Sequence, residues 1–118
     1  FVDLGVVPEN ASSITMVERL GYARAFAMLG LGERLTGKDA AAFGLANAAL
    51  PAADVEARAR EAAHTLAQKP PEALRITKSL LRDRARLASR MREEGDIFAE
   101  RLKSPEAMAA FAAFLQRG

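Results

Sequence analysis

The fold is decided by residues 4–51, LGVVPENASSITMVERLGYARAFAMLGLGERLTGKDAAAFGLANAALP, in which glycine or proline repeatedly ends a short helical pattern. The first helix is predicted to begin near Ser12, with Asn10 or Ser12 as its N-cap, and to end at Gly21. The segment YARAFAML has apolar residues at helical spacing and predicts a second helix. A third, short helix is predicted to begin at the N-cap Thr36. We therefore expect three short helices joined by tight turns.

Helical patterns also fill the chain after that stretch. Apolar stripes and proline or serine starts predict four more helices, over residues 54–69, 72–82 and 84–102 and from Ser104 onward. Phe1–Val7 is predicted to be the end of a strand, and Leu45–Pro51 is predicted to be a short extended segment. The 118 residues contain no repeat, linker or domain boundary. We predict a single, mostly α region over residues 1–118, an orthogonally packed helical unit with at most a short strand remnant at its N-terminus.

The composition limits how much core this unit can build. Half of the residues are hydrophobic, but alanine supplies much of that half. Because an alanine buries little area, we expect thin seams between helices and additional stability from a partner chain.

Charge, cysteine content and hydropathy exclude several classes of function. The net charge is +2, but basic and acidic residues are interleaved, which indicates solvated helix faces rather than a nucleic-acid interface. There is no cysteine, so disulfides and thiol chemistry are excluded. The single histidine, His64, has no second histidine or carboxylate cluster at ligand spacing, so no metal site is predicted. No stretch approaches the roughly 18 apolar residues of a membrane span, and we expect a cytoplasmic protein with no membrane partner.

Glu9 is the candidate functional acid. It lies between Pro8 and the first predicted helix, and a carboxylate near a helix N-terminus stabilises that helix by roughly 0.3–1 kcal/mol. The same position also suits a catalytic base. The neighbouring Ser12 and Ser13 lack the flanking glycines of a nucleophile elbow and are predicted to be helix caps. The residues alone leave both interpretations of Glu9 open.

Two motifs together resemble the crotonase superfamily, the enoyl-CoA hydratase/isomerase family. One is the LG-x-x-P turn at Leu4–Pro8, followed by a helix that ends in LG, and the other is the run from Gly32 to Pro51, which ends in GL-x-N-x-x-x-P. The resemblance implies that the chain is the C-terminal helical part of a ββα-spiral fold. It implies that an N-terminal half, which supplies both oxyanion-hole amides, is missing. It also implies an acyl-CoA thioester substrate, no cofactor beyond that coenzyme A, and a homotrimer or dimer of trimers.

The resemblance further implies enolate chemistry in which a carboxylate moves a proton. Hydratase-like members use two glutamates, one of which aligns with Phe1, and an apolar ring cannot transfer a proton. Isomerase-like members use one glutamate in a PE-x-x-SS pattern, which Pro8, Glu9, Ser12 and Ser13 match. The resemblance therefore favours a Δ3,Δ2-enoyl-CoA isomerase in which Glu9 carries a proton from C2 to C4. A hydratase-like enzyme and a non-catalytic helical trimerisation module are the alternatives.

The same resemblance implies that Phe98 and Phe111 contact the nucleotide end of coenzyme A. A lysine that meets a CoA phosphate in hydratases aligns with Phe114. The bases predicted to replace that lysine are Arg101, Lys103 and Arg117. Core packing is the alternative role for the three phenylalanines.

Overall fold

A computed structural model describes residues 1–116. Its regular elements are a 3-10 turn at Val2–Leu4 and the helices α1 (Ser12–Leu20), α2 (Tyr22–Leu29), α3 (Gly37–Ala42), α4 (Ala52–Ala67), α5 (Pro71–Leu80), α6 (Arg84–Arg101) and α7 (Pro105–Leu115). The predicted mostly α architecture is confirmed, with small differences at the helix ends. None of the helices within residues 1–116 is long and apolar enough to cross a membrane.

The predicted strand over Phe1–Val7 is wrong. The Gly5 N–H donates a hydrogen bond to the Val2 carbonyl at 2.9 Å, which closes the 3-10 turn. Gly5 has φ 70° and ψ 14°, a left-handed conformation that turns the chain where a strand would continue. A strand also needs a neighbour for its backbone groups, and no strand exists among residues 1–116. Of the apolar residues in this segment, Val6 is the buried one, at 5% exposure.

The helix α3 begins as the sequence predicts. Thr36 is the N-cap, and its hydroxyl accepts a hydrogen bond from the Asp39 N–H at 3.1 Å. The Asp39 carboxylate in turn accepts one from the Thr36 N–H at 3.1 Å, which completes a capping box. Hydrogen bonds from the Thr36 hydroxyl and backbone N–H hold the pKa of Asp39 below its ordinary value. The Arg24 guanidinium lies 4.0 Å from the centre of the Phe43 ring and joins α2 to the end of α3.

Two local packings form the body of the chain. The helix α1 packs on α2, and α7 packs on the 3-10 turn. The buried apolar side chains are those of Val6, Ala11, Ile14, Leu20, Ala25 and Ala107. Three of these six are alanines, which confirms the expected thin seams between helices.

The helices α4 and α5 project from this body. Every residue of α4 is exposed in this chain, and in α5 only Leu74 is half-buried. The radius of gyration is 18.1 Å, well above the about 13.5 Å expected for a compact domain of this length. We use the term α4–α5 face for the large exposed apolar side chains of this pair and the residue that follows it, Val55, Leu66, Ile76, Leu80 and Leu81.

We expect the isolated chain to self-associate or to fold only marginally, because the α4–α5 face leaves apolar surface in water. Size-exclusion chromatography with light scattering at roughly tens of micromolar protein measures this. Leu80 and Leu81 are 82% and 81% exposed, so Leu80→Gln with Leu81→Gln should weaken association. The control Glu56→Gln changes an exposed polar residue of α4 and should leave association unchanged. A stable, well-folded monomer would contradict this expectation.

Candidate active site

Glu9 lies in a strained turn between Pro8 and α1. Its side chain is half-buried, and the next two residues, Asn10 and Ala11, have φ values of 59° and 57°. The left-handed conformation costs an alanine roughly 1–2 kcal/mol, whereas asparagine adopts it more readily, so the strain falls mainly on Ala11, which needs support from its surroundings. Ala11 is 2% exposed, which shows that the turn is packed against the body. Backbone strain of this kind is concentrated at functional sites.

The first turn of α1 is capped by a residue from α6. The Ser13 N–H donates a hydrogen bond to Glu94 Oε1 at 3.0 Å, and the Ser13 hydroxyl donates to the same oxygen. The predicted caps, Asn10 and Ser12, are therefore wrong. The N-cap is Ala11, whose methyl group cannot accept a hydrogen bond. Asn10 is exposed, and Ser12 is the first residue of α1, one position after the N-cap.

Residues 5–13 form the segment that carries Glu9. The N-terminal end of this segment, at Gly5, is fixed on α6 and α7. A Cβ atom at Gly5 would lie 2.7 Å from the backbone nitrogen of Ala107, so the two backbones are in direct contact. The Gly5 carbonyl accepts a hydrogen bond from Arg101 Nε at 3.1 Å, and Arg101 also pairs with Glu106. Residues 5–13 are thus held at one end by Arg101 and α7 and at the other by Glu94.

Phe98 and Phe111 are both half-buried. Phe98 follows Glu94 by four residues on α6, which is about one helical turn, or about 6 Å along the axis. Phe111 has the same relation to Ala107 on α7. Residues four apart share a helix face. Phe98 therefore lies one turn after Glu94, and Phe111 one turn after Ala107. Glu94 and Ala107 are the residues that contact the two ends of residues 5–13.

Phe1 and Phe114, the two positions that depart from the hydratase pattern, line one groove of about 590 Å³. Asp3 and Arg34 line the same groove, so it combines apolar rings with one charge of each sign. Glu9 is not among its lining residues. The structure thus brings the two departures together, at a place separate from Glu9.

Three bases are predicted to replace the hydratase lysine that aligns with Phe114, and they differ in their surroundings. Arg101 is engaged with the Gly5 carbonyl and with Glu106. Lys103 is exposed. Arg117 lies outside the described residues.

Glu94 is the residue of this site that the sequence did not predict. It is 5% exposed, although it is charged. The available signal was its place in a stripe of apolar residues on α6, with Leu87, Met91 and Phe98 at three- and four-residue spacing. A charge inside such a stripe indicates a buried partner, but nothing in the pattern points to Ser13, which lies 81 residues away.

The sequence of this chain matches known proteins along its whole length. A profile of the enoyl-CoA hydratase/isomerase family matches residues 1–117. The chain belongs to this family. One relative within the family is enoyl-CoA delta isomerase 2 of Rattus norvegicus, which is 34% identical over 119 residues. That match covers 99% of this chain and 30% of the rat protein.

Two solved structures have the same arrangement of helices. Pseudomonas aeruginosa OdaA is 44% identical, with a TM-score of 0.88 over 97% of this chain and 47% of that one. An enoyl-CoA hydratase/isomerase from Pseudoalteromonas atlantica T6c is 32% identical, with a TM-score of 0.90 over 99% of this chain and 48% of that one. The helical unit therefore corresponds to about half of a crotonase-fold protein, and the chain spans about half the length of these two proteins.

Proposed function

We propose that this chain is the C-terminal helical part of an enoyl-CoA isomerase in which Glu9 is the acid–base residue. The observation that carries the proposal is the strained turn that presents Glu9 and is fixed at both ends, at Gly5 and at Ser13. The 34% identity to a delta isomerase supports isomerisation. Phe1 supports it as well, because it occupies the position where a hydratase-like enzyme is expected to have its second glutamate.

In the proposed reaction, Glu9 removes a proton from C2 of a 3-enoyl-CoA thioester. The electron pair of that C–H bond forms the enolate, with negative charge on the thioester oxygen. Glu9 then returns the proton to C4, and the double bond moves to C2–C3. One carboxylate suffices because both carbons face the same base, and no water is activated. Glu9 is half-buried, so it is open to a substrate yet partly shielded from water.

The enolate needs hydrogen-bond donors at its oxygen, each worth roughly 2.7–4 kcal/mol. We propose that these donors belong to the part of the family fold that this chain does not span. Phe98 and Phe111 then contact the nucleotide end of coenzyme A, which is present as part of the substrate, with no other cofactor. The α4–α5 face is available for contacts between subunits of a homotrimer or a dimer of trimers.

We expect the full protein that carries this chain to convert 3-enoyl-CoA into 2-enoyl-CoA and to add little water to 2-enoyl-CoA. Separation of the products by chromatography measures both reactions in one assay. The isolated 118-residue chain is the matched control. It should be inactive, because without the two donors it loses roughly 5–8 kcal/mol of transition-state stabilisation.

Each alternative has its own signature in that assay. Hydration of 2-enoyl-CoA at a rate comparable to isomerisation would favour a hydratase-like enzyme. No turnover of either thioester by the full protein would favour a non-catalytic trimerisation module. Turnover by the isolated chain well above buffer would contradict the proposed division of the site.

A further inference from the structure

Burying the Glu94 carboxylate costs more desolvation free energy than a helix cap alone requires. Its Oε1 accepts both hydrogen bonds from Ser13, whereas Oε2 is buried without a hydrogen-bond partner in the described part of the chain. A buried carboxylate that is incompletely paired costs several kcal/mol in desolvation. The usual cap is a Ser, Thr, Asp or Asn at the N-cap position, where this chain has Ala11. The carboxylate on α6 therefore needs a reason beyond the stability of α1.

The geometry of α6 supplies that reason. Glu94 and Arg101 are seven residues apart, about two helical turns on one face. Glu94 binds Ser13, and Arg101 binds the Gly5 carbonyl, so a single rigid helix holds both ends of residues 5–13. Glu9 lies midway between these two anchors. Asn10 and Ala11, the two left-handed residues that follow Glu9, are thus held in place by contacts from α6.

We propose that Glu94 is a positioning residue for Glu9. By accepting the N–H and hydroxyl hydrogen bonds of Ser13, it keeps the strained turn in the single conformation that presents the Glu9 carboxylate. This inference rests on the proposed role of Glu9 as the base. The bonds that fix the turn are those to Oε1, because Oε2 makes no bond within residues 1–116.

The kinetic test compares Glu94→Ala with Glu94→Gln in the full protein. Glutamine keeps an Oε1 acceptor for both Ser13 bonds, whereas alanine removes it. Misplacement of a reacting group by about 1 Å costs up to about a hundredfold in rate, so Glu94→Ala should lower kcat by about ten- to hundredfold with KM nearly unchanged. Glu94→Gln should restore most of that loss. A glutamine variant as impaired as the alanine variant would overturn the proposal.

Hydrogen exchange at the Ser13 amide tests the anchor without any catalytic assay. The Ser13 N–H donates to Glu94 in the native chain, so Glu94→Ala should speed its exchange by at least about tenfold. Glu94→Gln should leave the exchange near the native rate. If Glu94→Ala does not fold, Glu94→Asp, whose carboxylate is one methylene shorter, is measured in its place. Unchanged Ser13 exchange in the folded variant would overturn the anchor.

A double mutant separates positioning from general stabilisation. If Glu94 acts through Glu9, adding Glu94→Ala to Glu9→Gln should lower kcat no further, since there is no base left to misplace. Multiplied losses would overturn the positioning role and leave a structural one. If Glu9→Gln alone leaves kcat intact, the proposed base is wrong and the catalytic part of this inference fails with it. The exchange experiment then still decides whether Glu94 fixes the turn.

Discussion

Replacing Glu9 by glutamine in the full protein is expected to lower kcat for isomerisation by at least about a hundredfold. Glutamine keeps the shape and hydrogen-bonding reach of the side chain but cannot take a proton from C2. A positioned base contributes roughly 10²–10⁴-fold, or about 3–5 kcal/mol at 1.36 kcal/mol per decade. KM should change little, because the proposed CoA contacts, Phe98 and Phe111, lie on α6 and α7. Steady-state kinetics with a 3-enoyl-CoA substrate measures both constants.

The alternative role of Glu9, a charge near a helix end, predicts a different result. Its loss would cost under about 1 kcal/mol of stability and leave kcat nearly intact. Glu56→Gln is the matched control, since Glu56 is an exposed acid on α4 that pairs with Arg60 at 2.6 Å. An exposed pair of this kind contributes about 1 kcal/mol or less, and this variant should retain kcat. A near-normal kcat for folded Glu9→Gln would remove Glu9 from the active site.

The helices of this chain were predictable because the signals that start and end them are local. Thr36 caps α3 and Ser104 caps α7, where its hydroxyl accepts the Ala107 N–H at 3.2 Å. Both residues directly precede a glycine or proline that begins the helix. A cap of this type is encoded within four residues, so the sequence alone is enough to place it.

The support of Glu9 was not predictable, because its contacts are distant in sequence. Glu94 reaches Ser13 across 81 residues, and Arg101 reaches Gly5 across 96. The start of α1 at Ser12 was predicted correctly, but its cap was not, since a cap supplied by α6 leaves Ala11 free of any capping signal. Glu9 itself was a candidate from its position before the first helix, and the family resemblance favoured its catalytic role. The structure adds that its turn is strained and fixed at both ends.

The second large effect concerns stability. Gly5→Ala is expected to lower the free energy of unfolding of the full protein by about 2–5 kcal/mol. Gly5 has φ 70°, which costs an alanine roughly 1–2 kcal/mol. The new Cβ would also lie 2.7 Å from the Ala107 nitrogen and 2.8 Å from its Cα, which are backbone atoms of α7 that cannot rotate away. Forcing α7 aside adds roughly 1–3 kcal/mol. Urea denaturation at fixed protein concentration measures the change.

Gly44→Ala separates the two contributions. Gly44 also has a positive φ, 81°, but the nearest atom to a Cβ there is the Arg19 carbonyl oxygen at 3.8 Å, an ordinary contact. This control should lose only the roughly 1–2 kcal/mol of backbone strain, so the difference between the two variants is the cost of moving α7. Equal losses would show that Gly5 does not press on α7. A larger loss at Gly5 would show that the segment carrying Glu9 and the helix carrying Phe111 are packed as one unit.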